Sequence, residues 1–151
     1  MSYTVFDSGV DPQPIIQRAH AEGFVWEHVN TVINQAHIGQ SAPHTWRELE
    51  PLLSVLKLHT DNLKVSGSFY HLMHCGSWVA SHSHPKVPFK WVCTYYPVIH
   101  SLHTPLELYI DKTWTPIDIK VNQCIVFDKS ITHRVQPQAT DHPRLCIAIN
   151  F

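Results

Sequence analysis

LKVSGSFYHLMHCGSWVASHSHP, residues 63–85, is where the hydrophobic period of the chain changes from helical spacing to a period of two. It reads as a strand, a turn around Cys75-Gly76-Ser77 and a return strand. The segments FKWVCTYYPVI, LELYI, WTPIDIKV, QCIVFD, ITHRVQP and RLCIAINF follow with the same character. About eight short strands, with turn residues at intervals of roughly 8 to 12 positions and no helical interruption, describe an antiparallel sandwich or barrel.

Upstream, residues 1–62 show a short strand and two helical patterns. Asp11 and Pro12 form a cap and first-turn pair ahead of QPIIQRAHAEG, with Gly23 as the stop. The second pattern, PHTWRELEPLLSVLKLH, places Trp46, Leu49, Leu53 and Leu56 on one face, and Pro51 either begins a new helix there or kinks this one. The expectation is one domain over 1–151: a helical buttress to about residue 62 against a mainly β core from 63 to 151.

Charge is nearly balanced, with 11 Lys and Arg against 12 Asp and Glu, which argues against phosphate backbones or anionic membranes as the main partner. No apolar run is long enough to cross a bilayer and no signal-peptide pattern opens the chain, so a cytoplasmic location is expected. Cys75, Cys93, Cys124 and Cys146 form no C-x-x-C pair and read as buried, reduced thiols. Trp46, Trp78 and Trp91 read as packing residues, since no basic stripe accompanies them. An apolar helix face or a β-edge could support a homodimer.

Histidine is abundant, 13 in all, and most must be incidental because a metal site uses two or three. In SHSHP, residues 81–85, His82 and His84 stand two apart in an extended segment and project from the same face, while Ser81 and Ser83 face away. Two imidazoles so placed can converge on one metal ion given a third ligand from a neighbouring strand. His133 is the best candidate, because it opens a strand after the apolar run CIVF and a short loop. Glu107, flanked by Leu106 and Leu108, is the alternative acidic ligand. His71, His74, His100 and His103 read as solvated rim residues. On the closing strand, Arg144, Cys146, Ala148 and Asn150 share one face, and Leu145, Ile147, Ile149 and Phe151 the other. The planar fork of Arg144 suits a carboxylate.

In this order the pieces resemble the 2-oxoglutarate- and Fe(II)-dependent oxygenases, specifically the small oxygenases frequent in phages and marine bacteria. Those carry H-x-H-P, a Y-Y strand, an L-E-F-like strand, F-P-S-x-x-x-H-x-V-x-P and a closing R-I-S-I-A-F-N strand. The matching segments here are SHSHP, CTYYPV, LELY, FDKSITHRVQP and RLCIAINF, and the likeness spans residues 67–151. It implies a double-stranded β-helix, the cupin-like jelly-roll barrel, with Fe(II) in its mouth and 2-oxoglutarate as cosubstrate. His82 and His133 become the two histidine ligands, His84 takes the place of the carboxylate in H-x-D/E, and Arg144 binds the distal carboxylate. Tyr95 or Tyr96 lines the cosubstrate pocket, with Tyr95 and Cys146 counted among the cosubstrate-binding residues. A small domain with short loops leaves a fairly open barrel mouth, compatible with a peptide, a protein side chain, a nucleobase or a small molecule as the oxidised substrate.

Three departures from that pattern matter. A neutral imidazole at position 84 leaves a ferrous site one negative charge short, favouring softer ions such as Zn, Ni or Cu. Arg-x-Ser becomes Arg144-x-Cys146, replacing a hydroxyl donor with a weak thiol donor. Pro-Ser ahead of the distal histidine becomes Asp128-Lys129. Two other functions stand beside the oxygenase: a cupin-type enzyme using three histidines without 2-oxoglutarate, and a non-catalytic metal-binding barrel. The first lacks its usual Glu after H-x-H and its Gly-rich second motif here.

Overall fold

A computed structural model of the chain describes residues 3–28 and 32–151. Strand β1 (Tyr3–Asp7) leads into helix α1 (Gln13–Glu22). Asp11 Oδ1 accepts the Gln13 N–H at 3.0 Å, Pro12 supplies a pre-set φ of −75°, and the helix stops at Gly23, whose φ of 85° favours glycine. The stretch expected to be a helical buttress then contributes three further strands: β2 (Phe24–Glu27), β3 (Ile33–Asn34) and β4 (Ala36–Gly39). These strands are too short for a period-two signal to rise above the polar residues around them.

The run 43–59 is not one helix. It divides into two single 3-10 turns, Pro43–Thr45 and Arg47–Leu49, followed by α2 (Glu50–His59), with Pro51 in the first turn of α2, where its missing N–H leaves no bond unmade. That restart changes the phase of the helix. Trp46, Leu49 and Leu56 are buried, but Leu52 takes the core position and Leu53 lies at the margin.

From residue 67 the strands are β5 (Gly67–Met73), β6 (Trp78–His82), β7 (Trp91–Val98), β8 (Leu106–Ile110), β9 (Thr113–Ile117), β10 (Gln123–Asp128), β11 (His133–Val135) and β12 (Arg144–Asn150). They build two antiparallel sheets, ordered β1-β10-β7-β12-β5-β4-β2 and β3-β6-β11-β8-β9. β5 and its return strand β6 are therefore not paired with each other. The turn at Cys75-Gly76-Ser77 carries the chain from one sheet to the other, held by the Gly76 N–H on Gln138 O at 2.7 Å and the Ser77 N–H on His74 O at 3.0 Å. β8 and β9 do form a hairpin, with Asp111 and Lys112 at φ 50° and 63°, the left-handed pair that matches strand twist. With β5, β12, β7 and β10 facing β6, β11, β8 and β9, this is a jelly roll, and β1–β4 extend its sheets.

Two cores result. Ile15, Ala19, Trp46, Leu49, Leu52 and Leu56 pack the helices onto Leu145, Ile147 and Ile149, while Met73, Val79, Val92, Leu108, Ile125 and Phe127 pack the sheets together. β12 lies between β7 and β5 and is buried on both sides. Its odd-numbered side chains serve the helix layer, and Arg144, Cys146, Ala148 and Asn150 line a cavity between the sheets. Among the described residues no helix is long and apolar enough to cross a membrane.

Candidate metal centre

His82, the last residue of β6, stands opposite His133, the first of β11. The ladder between them is irregular: Val135 pairs with Val79, so β6 spends one extra residue before His82. A bulge there turns His82 to the same cavity as Val79, three residues earlier, which regular alternation forbids. His84 lies just past the strand end and is fixed by its N–H, which donates to Lys129 O at 2.9 Å. The ring centroids are 4.1 Å apart for His82 and His133, 5.0 Å for His82 and His84, and 5.4 Å for His84 and His133. One ligand atom from each lies within 4.8 Å of the others.

Hydrogen bonding prepares two of these rings. His82 Nδ1 is 2.7 Å from Ala80 O and His133 Nδ1 is 2.9 Å from Ile131 O. A carbonyl only accepts, so the proton sits on Nδ1 and the Nε2 lone pair is left for a metal. Burial lowers the pKa of all three histidines: the Ala80 carbonyl opposes it at His82, His82 adds to it at His84, and at His133 burial, then His82, brings the value to about 3. The triad is neutral, the state that ligates. Three imidazole nitrogens with no carboxylate among the described residues suit a divalent transition metal of borderline softness.

Arg144 reaches the same cavity from the floor of the larger sheet. It is 1% exposed, and among the described residues no carboxylate pairs with it. Its Nη1 donates to Thr104 O at 3.3 Å and lies 3.8 Å from Met73 Sδ; the guanidinium lies 5.2 Å from the Tyr96 ring centre, and Nε has no partner. A buried cation so weakly satisfied is costly without an anion. A larger cleft of about 550 Å³ opens elsewhere, among Phe6, His59, Lys90, Trp91 and Phe151, but none of the triad or Arg144 lines it.

The structure brings His82, His84, His133, Arg144 and Cys146 together around the cavity. Tyr95 is a correction. It faces the helix layer, where its hydroxyl donates to Asn122 Oδ1 at 2.5 Å, and Tyr96 is the one that lines the cavity. Glu107 is also corrected: it points outward and accepts from Arg134 Nε at 3.1 Å, with Arg134 stacked on Trp114. His71 and His103 are not solvated, since His71 is buried on the cavity wall and His103 Nε2 lies 2.6 Å from His142 O. Cys75 is exposed in its turn, and the other three cysteines are buried. Lys129 supplies the carbonyl that accepts the His84 backbone N–H, and such a backbone contact leaves no residue-type signal.

The aspartyl/asparaginyl beta-hydroxylase family model matches residues 10–151. The chain belongs to that family. It is accordingly an oxygenase of the hydroxylase kind, in agreement with the resemblance of its motifs. The jelly roll is shared with solved 2-oxoglutarate oxygenases. A Pseudomonas putida prolyl-4-hydroxylase aligns at TM-score 0.67 and 12% identity, covering 98% of this chain and 91% of that one. A viral collagen prolyl hydroxylase from Paramecium bursaria Chlorella virus-1, in complex with 2-oxoglutarate, aligns at TM-score 0.70 and 12% identity, covering 99% and 95%. HygX from Streptomyces hygroscopicus, with nickel, 2-oxoglutarate and hygromycin B bound, aligns at TM-score 0.75 and 8% identity, covering 98% and 81%. No curated protein matches the family member significantly in sequence.

Proposed function

We propose that the chain is a 2-oxoglutarate- and Fe(II)-dependent hydroxylase, with His82, His84 and His133 as the iron ligands and Arg144 as the partner of the cosubstrate's distal carboxylate. The observation that carries this reading is a single cavity holding both a ligand-ready histidine triad and a buried guanidinium that lacks an anion. The fold neighbours that hold 2-oxoglutarate support it. Held by His82, His84 and His133, Fe(II) would supply oxygen activation coupled to oxidative decarboxylation of 2-oxoglutarate. The protein's own part is placement: Ala80 and Ile131 carbonyls orient two rings, Lys129 O holds the backbone of His84, and Arg144 anchors the far end of the cosubstrate. Val32, Ile33, Phe69, Val79 and Val92 line the rest of the cavity and keep water from it. The oxidised substrate is a small molecule or a peptide side chain that enters over this apolar wall.

A three-histidine enzyme that does not use 2-oxoglutarate is the second reading, favoured by the all-imidazole donor set. Arg144 in the same cavity weighs against it. The test is anaerobic titration of the Fe(II)-loaded protein with 2-oxoglutarate, following the visible charge-transfer band of the bidentate chelate. A saturable band that the His133→Ala variant lacks supports the hydroxylase; iron bound without a band overturns the 2-oxoglutarate assignment.

A further inference from the structure

Four buried side-chain polar atoms among the described residues have no hydrogen-bond partner: His37 Nδ1, His71 Nδ1, Thr94 Oγ1 and Arg144 Nε. Three of the four belong to residues lining the same cavity. They sit on three adjacent strands. His71 on β5 is in register with Cys146 on β12, and Thr94 on β7 is in register with Ala148 on β12. Arg144 therefore heads a column, Arg144-Cys146-Ala148, flanked by His71 on one side and Thr94 on the other. Phe69 stacks against the His71 ring at 6.1 Å and 24° and covers it. The Tyr96 hydroxyl lies toward Thr94 and Arg144, yet no hydrogen bond of normal geometry satisfies Thr94 Oγ1 or Arg144 Nε.

An unmade hydrogen bond at one buried atom is uncommon in a folded protein, and three on one wall mark a place where a ligand completes the set. The chemistry of the set is that of a carboxylate receptor. A carboxylate presents two oxygens that only accept, and the wall presents a guanidinium N–H, a hydroxyl and an imidazole. Burial, followed by the Arg144 charge, lowers the His71 pKa to about 3. The ring is then neutral: it offers one N–H, adds no charge beside Arg144, and leaves the wall with the single positive charge that one carboxylate matches. Cys146, which stands where the resembling family has a serine, has its thiol pKa pushed up to about 12 by burial and is a weak donor at best. The residue directly across the ladder from it is His71.

We infer that His71, together with Thr94, completes the distal-carboxylate receptor headed by Arg144 and supplies the donor that Cys146 lacks; the inference rests on the 2-oxoglutarate reading above. The test is calorimetric binding of 2-oxoglutarate and of 2-oxopentanoate, the same chain without the distal carboxylate, to the Ni(II)-loaded protein in the absence of oxygen. Wild type, His71→Leu, His71→Gln, Thr94→Val and Thr94→Ser are compared, with metal content measured for each. The expected result is that His71→Leu and Thr94→Val each bind 2-oxoglutarate about tenfold more weakly or worse, as befits loss of a hydrogen bond to a charged group. Their metal content and their binding of 2-oxopentanoate stay at wild-type levels, and His71→Gln and Thr94→Ser, which keep a donor, recover most of the affinity. Wild-type preference for 2-oxoglutarate that both His71→Leu and Thr94→Val retain in full overturns the role of these residues and leaves the hydroxylase reading standing. A wild type that binds the two acids equally overturns the hydroxylase reading, and this inference with it. Thr94→Val preserves side-chain shape, so it decides the matter even where His71→Leu fails to fold.

Discussion

Replacing Arg144 with Met is expected to make the ligand-free protein more stable and the 2-oxoglutarate-bound protein less stable than wild type. Arg144 is 1% exposed, and its satisfied contacts are a 3.3 Å bond to Thr104 O, a 3.8 Å approach to Met73 Sδ and the Tyr96 ring at 5.2 Å. Losing the carbonyl bond costs about 1 kcal/mol and losing the ring contact about 1 kcal/mol more. Against this, removal relieves an unsatisfied buried Nε worth roughly 1–3 kcal/mol, together with the desolvation of a charge that has no counter-ion. Met has nearly the same volume and can pack beside Met73, so little cavity is left. The balance is a gain of about 1 kcal/mol, a rise in Tm of roughly 2–4 °C for a chain of this size. At a concentration one hundred times its Kd, 2-oxoglutarate should add about 2.7 kcal/mol to wild type and nothing to the variant, which reverses the order. Urea unfolding of the metal-loaded protein, followed by tryptophan fluorescence with and without 2-oxoglutarate, reads both halves. A variant at least 2 kcal/mol less stable than wild type without ligand would refute the reasoning, because it would mean that Arg144 is already structurally satisfied.

Three further outcomes are expected. His84→Asp restores one negative charge to the triad and should shift metal preference from Zn or Ni toward Fe(II), measured by competition between the ions, whereas His82→Ala and His133→Ala should bind metal at least tenfold more weakly. Glu107→Ala should leave metal content unchanged and cost no more than about 1 kcal/mol in urea unfolding, because its bridge to Arg134 is partly exposed and faces away from the cavity. His71 and His133 are held at about 3 against an unfolded 6.5, so as pH falls below 6.5 the unfolded chain takes up protons first; the metal-free protein keeps its full stability above 6.5 and loses it toward pH 3. The slope is roughly 2–3 kcal/mol per pH unit for the two together, and a single His71→Gln variant should lose about half of it in a series of denaturation curves.

Much of the site is legible in the sequence because its logic is local. His82 and His84 share a face by their spacing, and the two faces of β12 follow from strict alternation over its seven residues. Other features resist a linear reading. The bulge between Val79 and His82 breaks the alternation with no Gly or Pro to announce it. Tyr95 and Tyr96 are adjacent and chemically alike, so only the pairing of Ile147 with Tyr95 shows that Tyr95 joins the helix layer and Tyr96 the cavity. His71 reads as one more polar residue in a histidine-rich chain until its ladder partner, Cys146, is known.

The sequence alone determined the properties carried by neighbours along the chain: the switch to period two at residue 63, the capped start and glycine stop of α1, and the candidate ligands in SHSHP and at His133. Such signals arise from backbone sterics and side-chain alternation, which act over a few residues. Tertiary structure decided which strands pair, that β5 and β6 part into different sheets, that Glu107 turns away from the cavity to pair with Arg134, and that His71, Thr94 and Arg144 converge on one wall. Alternation fixes only the relative side of residues within a strand; which side is inside, and what lies across the ladder, is set by register and burial between segments far apart in the chain.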